Sequence, residues 1–494
     1  MGGISKWVWP PLLLVTLVRL WMIQWDPFLQ LWDERFHALV ALNMLSHPFV
    51  PILVEPTILP YDFTNWTGNY IWLHKPPLML WSMAGSLALF GAEPWAVRLP
   101  GALASVLLIP VLIRMGQLVG QRRAGWIAAW LWTFSWYALE LNAGVLPLGQ
   151  NDLLFACIVT ASIWTWLEWT HQPNWRWALL TGLFVGLAVL TKWLTGILVI
   201  GGWGLYLLLD KQHRWNGRSY LQLLLVGIVG FILAAPWQFY IFQRFPQEAR
   251  YEMEYNSHHI WQVVEKHTGD ALFYVGRMDQ YLGDGMWLLL LLGLVVAFWK
   301  GPRFRHGAMV AMIAVVWIFF SLVAATKMVS YVFVTLPMLL LYIGVGLEGL
   351  YQAVASRWPR KYWRWIGALV LIALAWHTAR PVMLYNLHEL DKPNRFINDT
   401  RSRPIQRHNV FIYRQLDSLL EPTDLLITNS KHLMISARFF SDRHVYDCCP
   451  DSSDLLTLHN QGFTIYYTQH PWINSIYASD TTAQPIDIDI RPLP

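Results

Sequence analysis

The sequence predicts an α-helical polytopic membrane protein with about eleven membrane-spanning helices and a small α/β domain at its C-terminal end. Of its 494 residues, 55% are hydrophobic and only 14% are charged, whereas charged residues make up about a quarter of a typical soluble protein. The 31 tryptophans support the same interpretation, because indole rings are enriched at membrane–water interfaces. These observations favour a membrane-embedded chain over a soluble globular one.

The spans follow from the length of the apolar runs, because a helix needs about 20 residues to cross the hydrocarbon core. The candidate spans are residues 7–25, 97–119, 125–143, 152–170, 176–191, 193–209, 221–242, 286–299, 307–325, 329–349 and 362–380. A further apolar run at 78–90 has only 13 residues. We expect this run to form an interfacial or re-entrant helix rather than a span.

Basic residues set the orientation, because loops on the cytoplasmic side carry an excess of lysine and arginine. With a cytoplasmic N-terminus and no crossing at 78–90, the inner loops hold Arg122, Arg123, Arg176, Lys211, Arg214, Arg218, Lys300, Arg303, Arg305, Arg357, Arg360, Lys361 and Arg364. The short outer hairpins hold only Lys192 and Lys327. A crossing at 78–90 would reverse this bias, so the charges favour eleven spans.

This topology places three larger pieces outside the membrane: the first loop 26–96, the loop 245–284 and the tail. The chain is therefore predicted to divide into a transmembrane domain, residues 1–380, and an extracytoplasmic α/β domain, residues 381–494. In the tail, short apolar runs alternate with helical patterns, at Asp424–Thr428, Lys431–Phe440, His444–Tyr446 and Phe463–Thr468. Such alternation of strands and helices suggests a small α/β domain.

The net charge of +5 does not indicate nucleic-acid binding, because the basic residues lie in short loops between apolar runs. The three cysteines are too few for a disulfide framework, and Cys448 and Cys449 are expected to be thiols. His258 and His259 lack a third metal ligand nearby, so no metal site is predicted.

The first outer loop contains several candidate catalytic and phosphate-binding residues. Asp33 and Glu34 occupy the first turn of an amphipathic helix just after the first span. Two acids there can simply complement the helix dipole, or one can serve as a catalytic base at the membrane surface. Lys75 follows His74 and precedes Pro76 and Pro77. It either snorkels beside the short apolar helix or binds a lipid phosphate as a compact cation.

These motifs continue along the chain in a fixed order. Asp33-Glu34 and Lys75-Pro76-Pro77 are followed by the segments Ala96–Pro100, Gln150–Asp152, Leu190–Lys192, Ala235–Trp237, Asn256–His258 and Lys327–Tyr331. The ordered set, from about residue 7 to 350, resembles the bacterial dolichyl-phosphate-mannose-protein mannosyltransferase-like family of GT-C glycosyltransferases. That family includes the transferase that adds aminoarabinose to lipid A.

The resemblance implies roles for individual residues. Asp33 matches the family's catalytic carboxylate, with Glu34 as the next candidate, and Lys75 matches the lysine that contacts the donor phosphate. Lys327 and Tyr331 match a motif that holds the lipid-phosphate head, and Arg277 is a further candidate cation. Asp152, with His74, Lys192 and His258, is expected to shape the site. His74 stands where family members often carry an acid, which puts any role that depends on that acid in doubt, such as structural metal binding.

The expected activity is transfer of a sugar from a polyprenyl phosphate to a lipid, glycan or protein acceptor, by a single inverting displacement. Because the leaving group is already an anion, neither a cofactor nor a metal is expected. The expected location is a bacterial inner membrane, with the active site on the extracytoplasmic side. Two alternatives are a lipid-linked glycan ligase or polymerase and a non-catalytic glycolipid transporter. A transporter would show inverted repeats and paired charges buried mid-span, and neither is evident.

Overall fold

The computed structural model describes residues 9–55, 59–146, 149–355, 360–384 and 402–492. Most of these residues are helical. The helices are α1 Trp9–Met22, α2 Asp33–Asn43, α3 Pro77–Phe90, α4 Pro94–Leu118, α5 Arg122–Phe134, α6 Trp136–Asn142, α7 Asn151–His171, α8 Trp175–Lys192, α9 Leu198–Leu209, α10 Gly217–Arg244, α11 Pro246–Trp261, α12 Met278–Leu282, α13 Met286–Lys300, α14 Arg303–Ile318, α15 Leu336–Ala355, α16 Arg360–Leu384, α17 Ser402–Tyr413, α18 Leu416–Leu419, α19 Lys431–Phe440, α20 Ser452–Asn460 and α21 Pro471–Tyr477.

The chain divides into two compact units. A helical unit draws on Met1–Met22, Gly101–Asn142 and Gln150–Leu387. A mixed unit draws on Ile23–Pro100, Ala143–Gly149 and His388–Pro494. The predicted domain boundary near residue 381 adjoins residues 385–401, which lie outside the described residues. The two-domain division at that boundary therefore stays a prediction.

Within the described parts of the chain, five helices are long and apolar enough to cross a membrane. They are Pro94–Leu118, Asn151–His171, Gly217–Arg244, Arg303–Val323 and Val329–Val354. Five shorter apolar helices have 10–17 residues, and they are Leu13–Met22, Pro77–Phe90, Thr195–Leu209, Met286–Lys300 and Trp365–Ala379. The short run at 78–90 thus lies on one of the shorter helices. The count of eleven spans stays a prediction.

The predicted span at 125–143 is divided in two at Ser135, where α5 ends and α6 begins. The buried side chain of Arg19, on α1, donates hydrogen bonds to the carbonyl of Trp132 and to that of Ala138, each at 2.9 Å. Backbone groups released at a helix break within a membrane protein need such partners, because no water is there to supply them. Arg19 therefore has a structural role at this break.

The mixed unit contains a four-stranded parallel sheet. The strands are β1 Asp424–Thr428, β2 His444–Asp447, β3 Thr464–Thr468 and β4 Ala483–Ile486, and their order in the sheet is β2-β1-β3-β4. Helices α19, α20 and α21 connect successive strands, as parallel pairing requires. The alternating segments expected from the sequence are present. Strand β4 was not expected, because its polar residues and Pro485 suit only a sheet edge.

The sheet packs around a small apolar core. Its members are fully or almost fully buried, and they are Leu425, Ile427, Leu455, Leu458, Ile465, Tyr467, Ile473, Tyr477 and Ala483. Within the same unit, helix α2 contacts α19: the guanidinium of Arg35 donates to the carbonyl of His432 at 2.8 Å. The helix that carries Asp33 is therefore anchored to the sheet's first crossover helix. In the same unit the sulfur atoms of Cys448 and Cys449 are in contact, and the expectation that both residues are thiols stays a prediction.

Candidate active site

Helix α2 presents the two candidate catalytic acids in different surroundings. The chain enters α2 at Trp32, whose φ of 66° is uncommon for a residue other than glycine. Asp33 and Glu34 are consecutive, so their side chains point about 100° apart around the helix. Only one of the two is accessible: the side chain of Asp33 is 23% exposed and that of Glu34 is not exposed.

Glu34 is held in a buried ion pair. Arg98 donates from Nε to Oε1 at 2.7 Å and from Nη2 to Oε2 at 2.9 Å, and the backbone N–H of Gln30 donates to Oε2 at 2.6 Å. Arg98 also donates to the carbonyls of Asp26 and Phe28. Charge-assisted bidentate pairs of this kind fix geometry as well as energy. Because both oxygens of Glu34 already accept hydrogen bonds, its carboxylate is better suited to hold the loop than to accept a proton.

The site predicted around Asp33 is assembled within the mixed unit. Lys75 Nζ lies 3.7 Å from Asp33 Oδ2, and both side chains are about a quarter exposed, at 22% and 23%. The structure therefore brings together a carboxylate and an ammonium that are 42 positions apart in the sequence. Lys75 follows an aromatic segment in which the ring of His74 stacks on Trp66, with centroids 4.6 Å apart.

His37 lies beside this pair and was not singled out by the sequence analysis. It is one helical turn after Asp33, it is 1% exposed, and neither ring nitrogen has a hydrogen-bond partner among the described residues. Burial lowers the pKa of His37 to about 3; the charge of Asp33 opposes this effect and the charges of Lys75 and His74 add to it. The imidazole is therefore neutral at physiological pH.

Two glycines allow the chain to approach these side chains closely. A Cβ at Gly149 would lie 2.3 Å from His37 Cε1 and 3.4 Å from Asp33 Cβ. A Cβ at Gly144, which has φ +64°, would lie 2.3 Å from Arg98 Nε and 2.6 Å from Glu34 Oε1. Both positions require glycine, and neither was predicted, because the sequence does not show which residues face Asp33 and Glu34.

The other six predicted site residues belong to the helical unit, where three of them form one cluster. Asp152 begins α7 and Lys192 ends α8, and their side chains form an ion pair. The ammonium of Lys192 lies 5.7 Å from the centroid of the Tyr331 ring. The hydroxyl of Tyr331 is hydrogen-bonded to His259 Nδ1 at 2.8 Å. His259 was set aside in the sequence analysis, and its neighbour His258 was chosen.

The remaining three predicted residues make other contacts. Lys327 Nζ donates to the backbone carbonyls of Phe320, Ser321 and Ala324 at 2.6 to 2.8 Å, which uses all three ammonium protons. The guanidinium of Arg277 lies 3.7 Å from the centroid of Phe273 and donates to its carbonyl. His258 Nε2 lies 3.9 Å from Glu254 Oε1 on the same helix. Their roles at a donor site stay predictions.

No group of three or more histidine, cysteine, aspartate or glutamate side chains is arranged to hold a metal ion within the described parts of the chain. The clusters combine carboxylates, ammonium groups and aromatic rings. A carboxylate can accept a proton and an ammonium can stabilise a developing anion. Such an arrangement suits attack by a hydroxyl with departure of an anionic group.

The fold and its long apolar helices define the class of protein: an integral membrane protein of the helical type. A family model described as dolichyl-phosphate-mannose-protein mannosyltransferase matches residues 74–240. The match begins at His74 and includes Lys75, Asp152 and Lys192. No curated protein sequence matches the chain.

Solved structures share this fold. ArnT from Cupriavidus metallidurans, bound to undecaprenyl phosphate, is 17% identical, with a TM-score of 0.64 over 93% of this chain and 88% of that one. Its apo form is 18% identical, with a TM-score of 0.62 over 93% and 89% of the two chains. The oligosaccharyltransferase AglB from Archaeoglobus fulgidus, in complex with an inhibitory peptide and a dolichol-phosphate, is 14% identical, with a TM-score of 0.54 over 89% of this chain and 64% of that one.

At these low identities the structural likeness shows the fold. Together with the family match, it confirms the expected resemblance to the GT-C glycosyltransferases and supports a glycosyltransferase. The structural likeness covers 93% of the chain and therefore extends beyond the matched segment 74–240.

Proposed function

We propose that this protein transfers a sugar from a polyprenyl-phosphate donor to an acceptor hydroxyl on the extracytoplasmic face of the membrane. The observation that carries the proposal is the pairing of the partly exposed Asp33 with Lys75 at 3.7 Å, beside a Glu34 whose oxygens are fully engaged. The family match, which begins next to Lys75, supports the same reaction class. The ArnT structure contains undecaprenyl phosphate, which supports the donor class.

In the proposed reaction, the acceptor oxygen attacks C1 of the sugar while Asp33 accepts the hydroxyl proton. The bond between C1 and the phosphate oxygen breaks, and its electron pair leaves with the polyprenyl phosphate. Lys75 stabilises the charge that grows on this leaving group. One displacement inverts the configuration at C1. The reaction balances without a metal or a cofactor.

In the helical unit, the predicted contacts to the donor phosphate are Arg277, Lys327 and Tyr331. Tyr331 is supported by the cluster that it forms with Lys192, whereas Lys327 rests on the resemblance and Arg277 on its charge. His74, Asp152, Lys192 and His258 are proposed to shape the site. The proposed location is a bacterial inner membrane, with about eleven spans and an extracytoplasmic α/β domain that includes the sheet.

The decisive experiment compares glycolipids and released lipids from cells with and without the protein by mass spectrometry. We expect a product that is lost on deletion, is restored by the wild type and is not restored by Asp33→Asn at equal protein level. Glu421→Gln, an exposed acid of the same unit, is the matched control and should restore it. Full restoration by Asp33→Asn would refute Asp33 as the base.

The same experiment separates the proposed donor from its nearest alternative. The alternative is a ligase or polymerase that uses a polyprenyl-diphosphate donor, because the fold is also similar to that of an oligosaccharyltransferase. Release of polyprenyl monophosphate during transfer supports the proposal, and release of polyprenyl diphosphate supports the alternative. A lipid-linked glycan that is moved across the membrane without chemical change would instead indicate a transporter.

A further inference from the structure

The Tyr331 side chain is fixed by several contacts within the helical unit. Its hydroxyl is 2.8 Å from His259 Nδ1. Its ring packs against Phe320 with centroids 4.6 Å apart, and the Lys192 ammonium lies 5.7 Å from the ring centroid. Lys192 is in turn paired with Asp152. Tyr331 is therefore part of a preorganised cluster rather than a mobile surface residue.

His259 is itself fixed to the segment that carries Tyr331. Its carbonyl accepts a hydrogen bond from the N–H of Thr326 at 3.1 Å, and the carbonyl of Ile260 accepts one from Ala325 at 2.9 Å. The ring of Tyr255, one turn earlier on α11, packs edge-on against the imidazole at 5.7 Å. The end of α11 and the chain before Tyr331 are thus joined by backbone and side-chain contacts.

The direction of the hydrogen bond between His259 and Tyr331 decides what Tyr331 can do. When Nδ1 carries a proton, it donates to the phenol oxygen, and the Tyr331 O–H is left to donate to a second acceptor. When Nδ1 is unprotonated, the Tyr331 O–H donates its hydrogen bond to the imidazole. The phenol oxygen then has only lone pairs left, and these cannot donate to an anion. A phosphate oxygen would select the first arrangement, because it needs a donor.

We propose that His259 is a positioning residue that holds the Tyr331 hydroxyl with its proton directed towards the phosphate of the lipid donor. The inference rests on the proposed function, because it requires a polyprenyl-phosphate ligand. It differs from the sequence prediction, which chose His258. His258 is one residue away on α11, so it points about 100° from His259, and its nearest described ion-pair partner is Glu254 at 3.9 Å.

The test measures binding of undecaprenyl phosphate to the purified full chain in detergent by native mass spectrometry. We expect His259→Leu and Tyr331→Phe each to weaken binding about tenfold, as loss of one hydrogen bond to a charged group does. The double variant should bind no more weakly than either single one. His259→Asn should recover most of the affinity, because its amide places a donor near the position of Nδ1.

His267→Leu provides the matched control. His267 is a partly exposed histidine of the same outer segment, and its side chain pairs only loosely with Glu265, at 3.8 Å. It should bind like the wild type. The loss in His259→Leu should appear as a higher KM for the donor with little change in kcat, because the phosphate contact is made in the ground state as well as in the transition state.

The inference is overturned by wild-type affinity in His259→Leu, by additive losses in the double variant, or by a loss confined to His258→Leu. An equal loss in His259→Asn and His259→Leu would also overturn it, because the Nδ1 position would then not matter. If the wild type itself does not bind undecaprenyl phosphate, the proposed donor class fails and the inference falls with it. If instead the wild type binds undecaprenyl phosphate and the His259 variants bind it equally well, only the inference about His259 fails and the proposed donor class stands.

Discussion

Arg98 donates two hydrogen bonds to the carboxylate of Glu34, at 2.7 and 2.9 Å, and neither side chain is exposed to solvent. The adjacent Asp33 is partly exposed and lies 3.7 Å from Lys75. Two consecutive acids thus differ in their surroundings: Glu34 is buried and fixes the loop, and Asp33 is partly exposed beside a lysine. This division leads to different expectations for their amide variants.

Glu34→Gln should unfold the mixed unit more readily. The amide leaves the Arg98 charge buried without its counterion, and removing one partner of a buried pair costs about 3–5 kcal/mol. We expect a clear fall in the thermal unfolding temperature in detergent, with Asp33→Asn close to wild type. If Glu34→Gln kept its unfolding temperature but lost transfer, Glu34 would be the better candidate for the base.

The sequence predicted the pairing of Asp33 and Lys75, because the family order implied it and the charge pattern placed both residues outside. It did not predict the Arg98–Glu34 pair, although Arg98 lies in a motif that was identified. Glu34 could be separated from Asp33 only by burial, and burial depends on contacts between loops that are distant in the chain. The contact between His259 and Tyr331 was not predicted for a similar reason, because adjacent helical residues point in different directions.

Lys75→Ala should reduce transfer from the lipid-phosphate donor. The leaving phosphate gains charge as the bond breaks, and loss of one preorganised cation or donor costs about 2–4 kcal/mol of transition-state stabilisation. We expect a lower kcat at saturating donor, measured with purified protein once the product is known. Lys431→Ala, a lysine of the same unit whose Nζ lies 3.3 Å from Thr67 Oγ1, serves as the control. Unchanged kcat would make Lys75 a lysine that only flanks the short helix α3.

Gly149→Ala should impair activity through His37 and Asp33. A Cβ at this position would lie 2.3 Å from the His37 ring, so the ring or helix α2 must move to make room. Gly85→Ala, on α3 of the same unit, is the matched control, because a Cβ there meets no atom within 4 Å and alanine favours a helix. We expect lower activity and a lower unfolding temperature for Gly149→Ala only. Equal behaviour of the two variants would show that the close approach at Gly149 is not needed.

His37 should make the protein less stable in mild acid. Its pKa falls from an ordinary value of about 6.5 to about 3 in the folded protein. The unfolded chain therefore binds a proton between pH 6.5 and 3 that the folded chain does not, and stability is lost as the pH falls. From pH 7 to pH 5 this contributes about 2 kcal/mol.

We expect His37→Gln to lose less stability than the wild type between pH 7 and pH 5, as measured by thermal unfolding in detergent. The dependence should not vanish, because burial also lowers the pKa of His432 to about 4. His47→Gln, an exposed histidine of the same unit, should behave like the wild type. An identical acid response in His37→Gln and the wild type would contradict the buried neutral imidazole.

The membrane topology can be tested independently of any resemblance. Helix α3 has 14 residues and extends about 21 Å at the helical rise, which is short of the hydrocarbon thickness of about 30 Å. If α3 does not cross, the loop after α9 is cytoplasmic and the tail is outside. We expect a cysteine at Gln461, an exposed tail position, to react with an impermeant thiol reagent in intact cells. A cysteine at Gln212, exposed in the loop after α9, should react only after the membrane is opened.

Cys448 and Cys449 must first be replaced by serine in both variants, because they lie in the same tail and would obscure the label. Cys157 is buried and can stay. If Gln212 reacts from outside, α3 crosses the membrane and every later segment changes side. Lys192 and Lys327 would then face the cytoplasm while Asp33 and Lys75 stay outside, and phosphate contacts from both sets of residues could not belong to one reaction. Protection of Gln212 together with reactivity of Gln461 is therefore required by the single displacement proposed for this protein.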